Sequence, residues 1–124
     1  MEQLEIQARY LAKSIDLDRI PGELRSAEVR RLRTRAIYAV REGQYVVCYT
    51  FGVVAFLGMP ADEVARIRGI IEPAFIDRID GWSDTYALTV DFAAKEDTIE
   101  FDHVRLHDFT VDHVDLVCRM IAQS

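Results

Sequence analysis

The segment QYVVCYTFGVVAFLG, residues 44–58, has no charged side chain in fifteen positions and consists mostly of residue types that favour β-strands. A helix that crosses a membrane needs about 20 consecutive apolar residues, whereas this segment is shorter and is interrupted by Gly52. The pattern therefore predicts two strands, residues 44–50 and 53–57, joined by a tight turn in which Gly52 supplies a positive φ. The sequence of residues 35–40 predicts a third strand, so that three successive strands form a meander. Neither strand of the hairpin alternates polar and apolar residues, so we expect it to be buried on both faces or to present a second contact surface.

The sequence before this meander predicts one more strand and two short helical regions. Residues 4–13 alternate and form an opening strand, with one side made of Ile6, Ala8, Tyr10 and Ala12. Asp16 is a suitable N-cap for a short helix that the following Pro-Gly pair interrupts. Residues 26–35 are expected to be helical, with Val29 and Leu32 buried beneath a charged face.

The sequence after the hairpin predicts a helix and then two strands. Pro60 begins the helix, Pro73 bends or ends it, and its apolar stripe consists of Val64, Ile67, Ile71 and Phe75. Residues 85–92 and 98–106 read as strands. The apolar parity changes within the second of them, which indicates a bulge or break at Asp102 or His103.

A closing helix completes the chain. Thr110 is its expected N-cap, and the residues on its buried side are Val111, Val114, Val117, Cys118 and Ile121. The whole pattern predicts a single α+β domain over residues 1–124: a mostly antiparallel sheet of about six strands covered by helices, in the order β-α-β-β-β-α-β-β-α. The hairpin and the helix after it should supply the most deeply buried side chains, which are Val47, Val54, Phe56 and Ile71.

Composition sets limits on function. The chain has 124 residues and a formal net charge of −6, which argues against attraction of the whole domain to phosphate backbones. Residues 1–62 carry nine basic and eight acidic groups, and residues 63–124 carry six and thirteen, so the acidity belongs to the second half. The amino terminus has no apolar signal region. The two cysteines, Cys48 and Cys118, lie in apolar runs and are expected to be reduced core residues.

Four short segments resemble, in chain order, the required-for-meiotic-nuclear-division family. They are the hairpin YTFGVVAFLG, the helix start PADEVARI, the later TIEFDHVRLHD and the terminal IAQS, and the resemblance as a whole covers about residues 5–124. This family, found in bacteria, fungi and mitochondria, has no established enzymatic motif. The resemblance implies that the chain is the soluble amino-terminal domain of a longer protein. That protein would be anchored by a later membrane span, with this domain on the cytoplasmic side. The mitochondrial member is associated with support of organellar translation.

Residue types that could carry chemistry are present, but their spacing is unfavourable. His103, His107 and His113 lie near aspartates, yet the first two would be about 13 Å apart on a strand, too far to share a metal ion. Asp77, Asp80 and Asp84 lack the spacing of a calcium loop. We therefore predict no catalytic residue, no metal site and no cofactor.

The strongest surface feature is an arginine stretch formed by Arg25, Arg30, Arg31, Arg33 and Arg35. Such a cluster can follow the phosphates of RNA or a ribosome. Arginine is common throughout the chain, however, since 13 of its 15 basic residues are arginine, and an ordinary solvated face is the simpler interpretation. Contact with an acidic protein partner, including the second half of another copy, is a third possibility.

Two functional hypotheses follow. The first is a non-catalytic interaction and assembly module of a membrane-anchored protein, and the second is an RNA-facing or ribosome-facing module that uses the arginine stretch. The terminal helix reaches Ser124 without a C-cap signal, as expected of a helix that continues in a longer protein. Together with the apolar hairpin, this favours a homo-oligomer, at least a dimer, with the hairpin edge or the closing helix at the interface. The interface residues on that helix would be Val111, Val114, Val117 and Ile121.

Overall fold

The structure is a computed structural model that describes residues 2–41, 43–90, 98–99, 103–106, 114–115 and 118. The strands are Glu2–Tyr10 (β1), Ala12–Ile15 (β2), Glu28–Arg31 (β3), Arg35–Arg41 (β4), Gln44–Tyr49 (β5), Val53–Leu57 (β6), Phe75–Arg78 (β7), Ser83–Val90 (β8), Thr98–Ile99 (β9) and His103–Leu106 (β10). The helices are Gly22–Arg25 (α1) and Ala61–Ile71 (α2), with short 3-10 turns at Leu17–Arg19 and Glu72–Ala74. Val114, Asp115 and Cys118 are helical and belong to the closing helix.

Most of these strands form one mixed sheet. Its order is β3-β4-β5-β6-β1-β8-β10-β9, and β2 pairs with β7 in a separate two-stranded sheet. Neighbours in the large sheet are antiparallel, except that β8 and β10 run parallel. The predicted α+β class with a mostly antiparallel sheet is confirmed. The sheet has more strands than expected, and within the described residues the helices are few.

The β5–β6 hairpin is buried on both faces, as its sequence predicts. In register, Val46 pairs with Phe56 and Cys48 with Val54, and every residue of β6 is buried. Gly52 has the expected positive φ, 98°. A Cβ atom at Gly52 would lie 1.7 Å from the carbonyl oxygen of Ala12, so glycine is required both for the turn and for this close approach.

Side chains alternate along the strands and divide the core into two clusters, one on each face of the sheet. The first cluster joins the sheet to α1 and α2, and its larger members include Ile20, Leu24, Tyr38, Phe56, Ile67 and Ile71. The second cluster joins the opposite face to the closing helix, and its members include Ile6, Ile37, Val47, Tyr49, Leu57, Val114 and Cys118. Val47, Val54, Phe56 and Ile71 are at most 1% exposed, which confirms their predicted burial.

Several local predictions are also confirmed. Asp16 caps the 3-10 turn by accepting a hydrogen bond from the amide of Asp18. Pro60 precedes α2, and Pro73 lies in the 3-10 turn that follows it. The break expected in the predicted strand 98–106 is confirmed, because β9 and β10 pair antiparallel with each other, with Val104 opposite Ile99, which a single continuous strand could not do.

The prediction of a helix over residues 26–35 is wrong. Glu28–Arg31 is an edge strand that pairs with β4, and Val29 and Leu32 are exposed, 48% and 39%, instead of buried. The segment has good helix formers, but helix propensity is a weak preference that pairing with an available strand overrides. The opening strand also ends earlier than expected. It stops at Tyr10, and Ala12 packs in the first cluster while Ile6 and Ala8 pack in the second.

Strand β7, which the sequence did not signal, pairs with β2. Four elements or positions predicted in the second half lie wholly or partly outside the described residues. They are residues 91–92 of the predicted strand 85–92, the bulge position Asp102 of the predicted strand 98–106, the cap at Thr110, and the helix positions Val111, Val117 and Ile121.

Replacing Val54 by Asp tests the buried hairpin. The carboxylate would be buried without a partner, so we expect Val54→Asp to lower the free energy of unfolding by more than about 4 kcal/mol and to leave the domain unfolded. The matched control is Ile76→Asp on strand β7, where the side chain is 41% exposed, and it should cost no more than about 1 kcal/mol. Thermal denaturation followed by circular dichroism measures both. Equal melting temperatures for the two variants would contradict the burial of this strand.

Candidate functional site

The arginine stretch does not form one continuous surface. Arg30 lies opposite Ile37 in the sheet and Arg31 lies opposite Ala36. Ile37 belongs to the second cluster and Ala36 to the first. Because cross-strand partners project to the same side, Arg30 and Arg31 point to opposite faces of the sheet. A single phosphate chain cannot follow both.

Two of the arginines are held on the face of the closing helix by Asp115. Arg35 makes a bidentate pair with this carboxylate, with Nε–Oδ1 and Nη2–Oδ2 distances of 2.5 and 3.0 Å. Arg30 Nη1 lies 3.9 Å from Oδ2. The side chains of Arg35 and Asp115 are each only 13% exposed. The hydrogen bond to Asp115 raises the pKa of Arg35, against the opposing effect of burial. This pair therefore fixes the closing helix to the edge of the sheet.

Two more arginines interact with Asp18 on the other face. Arg31 Nη2 donates to Asp18 Oδ1 at 2.9 Å, and Arg25 Nη1 donates to the Asp18 carbonyl at 3.3 Å. The Asp18 side chain is 81% exposed, so solvent screens this pair and its contribution to stability is small. Both contacts nevertheless engage arginines that the sequence predicts as candidates for binding RNA or a protein partner.

Arg33 is the exception in the stretch. It is exposed in the turn between β3 and β4, and no other described residue forms a hydrogen bond or ion pair with it. It borders a groove of about 350 Å³. The apolar Leu32 also lines this groove, and its other polar lining residues are Asp16, Asp18, Arg31 and Thr50. The groove contains both signs of charge, so it does not select an anion by charge alone.

One end of the large sheet collects exposed apolar side chains that sequence reasoning missed. The register pairs Tyr10 with Val53 and Arg35 with Tyr49, so the β3–β4 turn, the β5–β6 turn and the start of β8 lie at the same end. We call this the turn-end surface, and its exposed apolar residues are Leu32, Phe51 and Trp82, each 39% exposed. The Thr50 amide donates to the Thr34 carbonyl at 2.9 Å and links the two turns.

The long sequence separation of these residues hides the turn-end surface from sequence inspection. A signal was nevertheless present for Phe51, since the residue before the turn glycine of a hairpin normally faces solvent.

A smaller groove of about 150 Å³ lies where β1 ends and β8 begins. Arg9 and Arg68 both line this groove, and its other lining residues include Asp80, Trp82 and Ser83. The rings of Tyr10 and Trp82 pack beside it with centroids 6.3 Å apart. Arg9 of the first strand and Arg68 of the later helix are 59 positions apart in the chain, and no sequence pattern connects them.

The edge strand β3 is the remaining feature. Among the described strands it pairs with β4 alone, so one side of its backbone lacks a strand neighbour. Val29 projects from it with 48% exposure. Such an edge is able to accept another strand through main-chain hydrogen bonds.

The predicted core cysteines are confirmed as free and buried thiols. Burial raises the pKa of both Cys48 and Cys118, so neither is poised as a thiolate nucleophile. Among the described side chains, no three His, Cys, Asp or Glu residues come close enough to hold a metal ion. The side chains of His103, His107 and His113 lie outside the described residues.

Of the proposed interface residues on the closing helix, Val114 is fully buried against the sheet of its own chain. Its side chain is therefore part of the second cluster and not of an exposed surface. Val111, Val117 and Ile121 lie outside the described residues.

Comparisons with protein-family models, curated proteins and solved structures found no match. The family resemblance therefore stays a prediction from the sequence motifs. In the part of the chain that the structure describes, no helix has both the length and the apolar character needed to cross a bilayer.

The pairing of Arg35 with Asp115 predicts a specific loss of stability. Asp115→Asn keeps the shape but removes the charge, which leaves Arg35 partly buried without its counterion. We expect the free energy of unfolding to fall by about 2–4 kcal/mol. Asp18→Asn removes the exposed partner of Arg31 and should cost less than about 1 kcal/mol. Chemical denaturation of both variants measures the difference, and similar losses would contradict a special role for Asp115.

Proposed function

We propose that this domain is a non-catalytic protein-interaction and assembly module that associates with a second copy of itself. The observation that carries the proposal is the edge strand β3, which has an exposed apolar side chain at Val29 and pairs with β4 alone among the described strands. Main-chain pairing across such an edge extends the sheet from one copy into the next. Identical copies most often close contacts of this kind around a two-fold axis.

The charges on β3 suit antiparallel pairing with a second β3. Glu28 lies opposite Tyr38, and Arg31 lies opposite Ala36. The pairing of β3 with β4 has a register shift between Glu28 and Arg30. Tyr38 and Ala36 both belong to the first cluster, so with this shift Glu28 and Arg31 project to the same face. A two-fold axis between Val29 and Arg30 places each Glu28 opposite Arg31 of the second copy. Opposite charges in such cross-strand positions stabilise the pairing.

The two faces of the hairpin are less suitable for association. Both are covered within the chain, by α2 on one side and by the closing helix on the other. The edge of the sheet is therefore the better site for contact between copies than its faces.

The family resemblance supplies the wider context of this proposal. By analogy with the required-for-meiotic-nuclear-division family, the module belongs to a longer protein that a later membrane span anchors, with this domain on the cytoplasmic side. Self-association through β3 would then bring two or more anchored chains together. The module's role is assembly, and it requires no cofactor.

An RNA-facing or ribosome-facing module is the second candidate, and Arg33 is the residue that favours it. It is exposed at a turn beside Leu32, and no described residue neutralises it. The other four arginines of the stretch contribute less, because each one contacts Asp18 or Asp115 within the fold.

Light scattering coupled to size exclusion tests the assembly proposal. We expect the parent to have twice the chain mass of 14.2 kDa at micromolar concentration, and Val29→Lys to be a monomer, because a lysine on the edge disfavours strand addition. Phe51→Lys, which changes an exposed apolar residue away from the edge, is the matched control and should remain a dimer. A parent that keeps the mass of one chain across a dilution series would rule the proposal out.

A salt titration of RNA binding tests the second candidate. Binding through phosphates must weaken steeply as salt rises, and Arg33→Ala should reduce the slope of that dependence by about one. Arg66→Ala removes one charge from an arginine that already pairs with Glu63 and should leave the slope unchanged. Binding that is absent at low salt, or equal losses in the two variants, would eliminate this candidate.

A further inference from the structure

The small groove between the end of β1 and the start of β8 brings together two arginines from distant parts of the chain. Arg9 lies in β1 opposite Ser83 of β8, and Arg68 comes from the last part of α2. Both line the same groove of about 150 Å³. Two guanidinium groups at one groove repel each other, and a negatively charged acceptor placed between them interacts favourably with both.

Arg9 has an unused donor at this position. Its Nη2 donates to Gln7 Oε1 at 3.0 Å, but its Nε is buried and has no hydrogen-bond acceptor among the described residues. Buried donors are almost always satisfied in folded proteins. This Nε therefore takes its acceptor from outside the described residues, from water or from a ligand atom, and an oxyanion supplies such an atom.

The positive charge of Arg68 is also available to a ligand. No hydrogen bond or ion pair connects its side chain to another described residue, whereas Arg66 on the same helix makes a bidentate pair with Glu63. Asp80 is the one carboxylate among the residues that line the groove, and it is exposed. The groove therefore has an excess of positive charge, although the chain as a whole is acidic.

We propose that this groove binds an oxyanion, the phosphate or carboxylate group of a small ligand. Arg9 and Arg68 supply charge-assisted donors, which match the planar geometry of a carboxylate and the oxygens of a phosphate. The hydroxyl of Ser83 offers a further donor. A groove of about 150 Å³ accommodates one phosphate or carboxylate group and little more. The rest of the ligand therefore extends towards the turn-end surface. This site is separate from β3 and does not depend on the assembly proposal.

The experiment uses the one tryptophan of the chain, Trp82, which lines the groove. Its fluorescence is recorded while inorganic phosphate, acetate or chloride is added at equal ionic strength. We expect a saturable change with phosphate, acetate or both, and none with chloride. Saturation by phosphate alone identifies a phosphate ligand, and saturation by acetate alone identifies a carboxylate.

Two arginine variants on one helix provide the controls. Arg68→Gln should weaken the apparent affinity about tenfold, the value expected for one charge-assisted hydrogen bond. Arg66→Gln removes the same net charge outside the groove and should change the affinity by less than about twofold. The anion that binds should also raise the melting temperature of the parent, since a ligand that binds only the folded state stabilises it.

Three results would overturn the proposal. The first is the absence of both a saturable fluorescence change and a thermal shift with either oxyanion. The second is an equal response to chloride, and the third is an equal loss of affinity in the two arginine variants. The last two would indicate a general effect of charge in place of a site.

Discussion

The burial of the β5–β6 hairpin on both faces is the constraint on which the rest of this structure depends. Every residue of β6 is buried, so the chain must place apolar cover on each side of the strand. Helix α2 supplies the cover on one face through Val64, Ile67 and Ile71, and the closing helix supplies it on the other through Val114 and Cys118. The turn at Gly52 also positions the small second sheet. Gly52 lies against the carbonyl of Ala12, which is the first residue of β2.

Prediction from the sequence succeeded where burial alone determines the structure. A run of strand-forming residues with no charge can be stable only inside a sheet, and the stripe of Val64, Ile67 and Ile71 has the period of a helix. Phe75, which was expected on the same stripe, begins β7 instead. The caps at Asp16 and Pro60 were predictable for the same reason, since each depends on the residue itself and its nearest neighbours.

Prediction failed where the secondary structure of a segment depends on the elements that it contacts in the folded chain. Residues 26–35 have a charged, helix-compatible composition, yet β4 offers an edge on which Glu28–Arg31 pairs as a strand. Nothing in the local pattern indicates that such an edge is available. The same limit applies to the candidate sites. Asp115 lies 80 residues from Arg35, and the two arginines of the small groove belong to different elements, so only the folded chain relates them.

The division of charge along the sequence has a structural explanation that changes the meaning of the arginine stretch. Arg30 and Arg35 come from the basic first half, and the carboxylate that binds them, Asp115, comes from the acidic second half. Part of the apparent asymmetry is therefore neutralised within the fold. Arg9, Arg33 and Arg68 make no ion pair with a described carboxylate; they are distant in sequence, and Arg33 lies at one groove while Arg9 and Arg68 lie at the other. The density of arginine in the sequence is thus a poor guide to where this protein can bind an anion. A better guide is the set of guanidinium groups that the fold has left without a carboxylate.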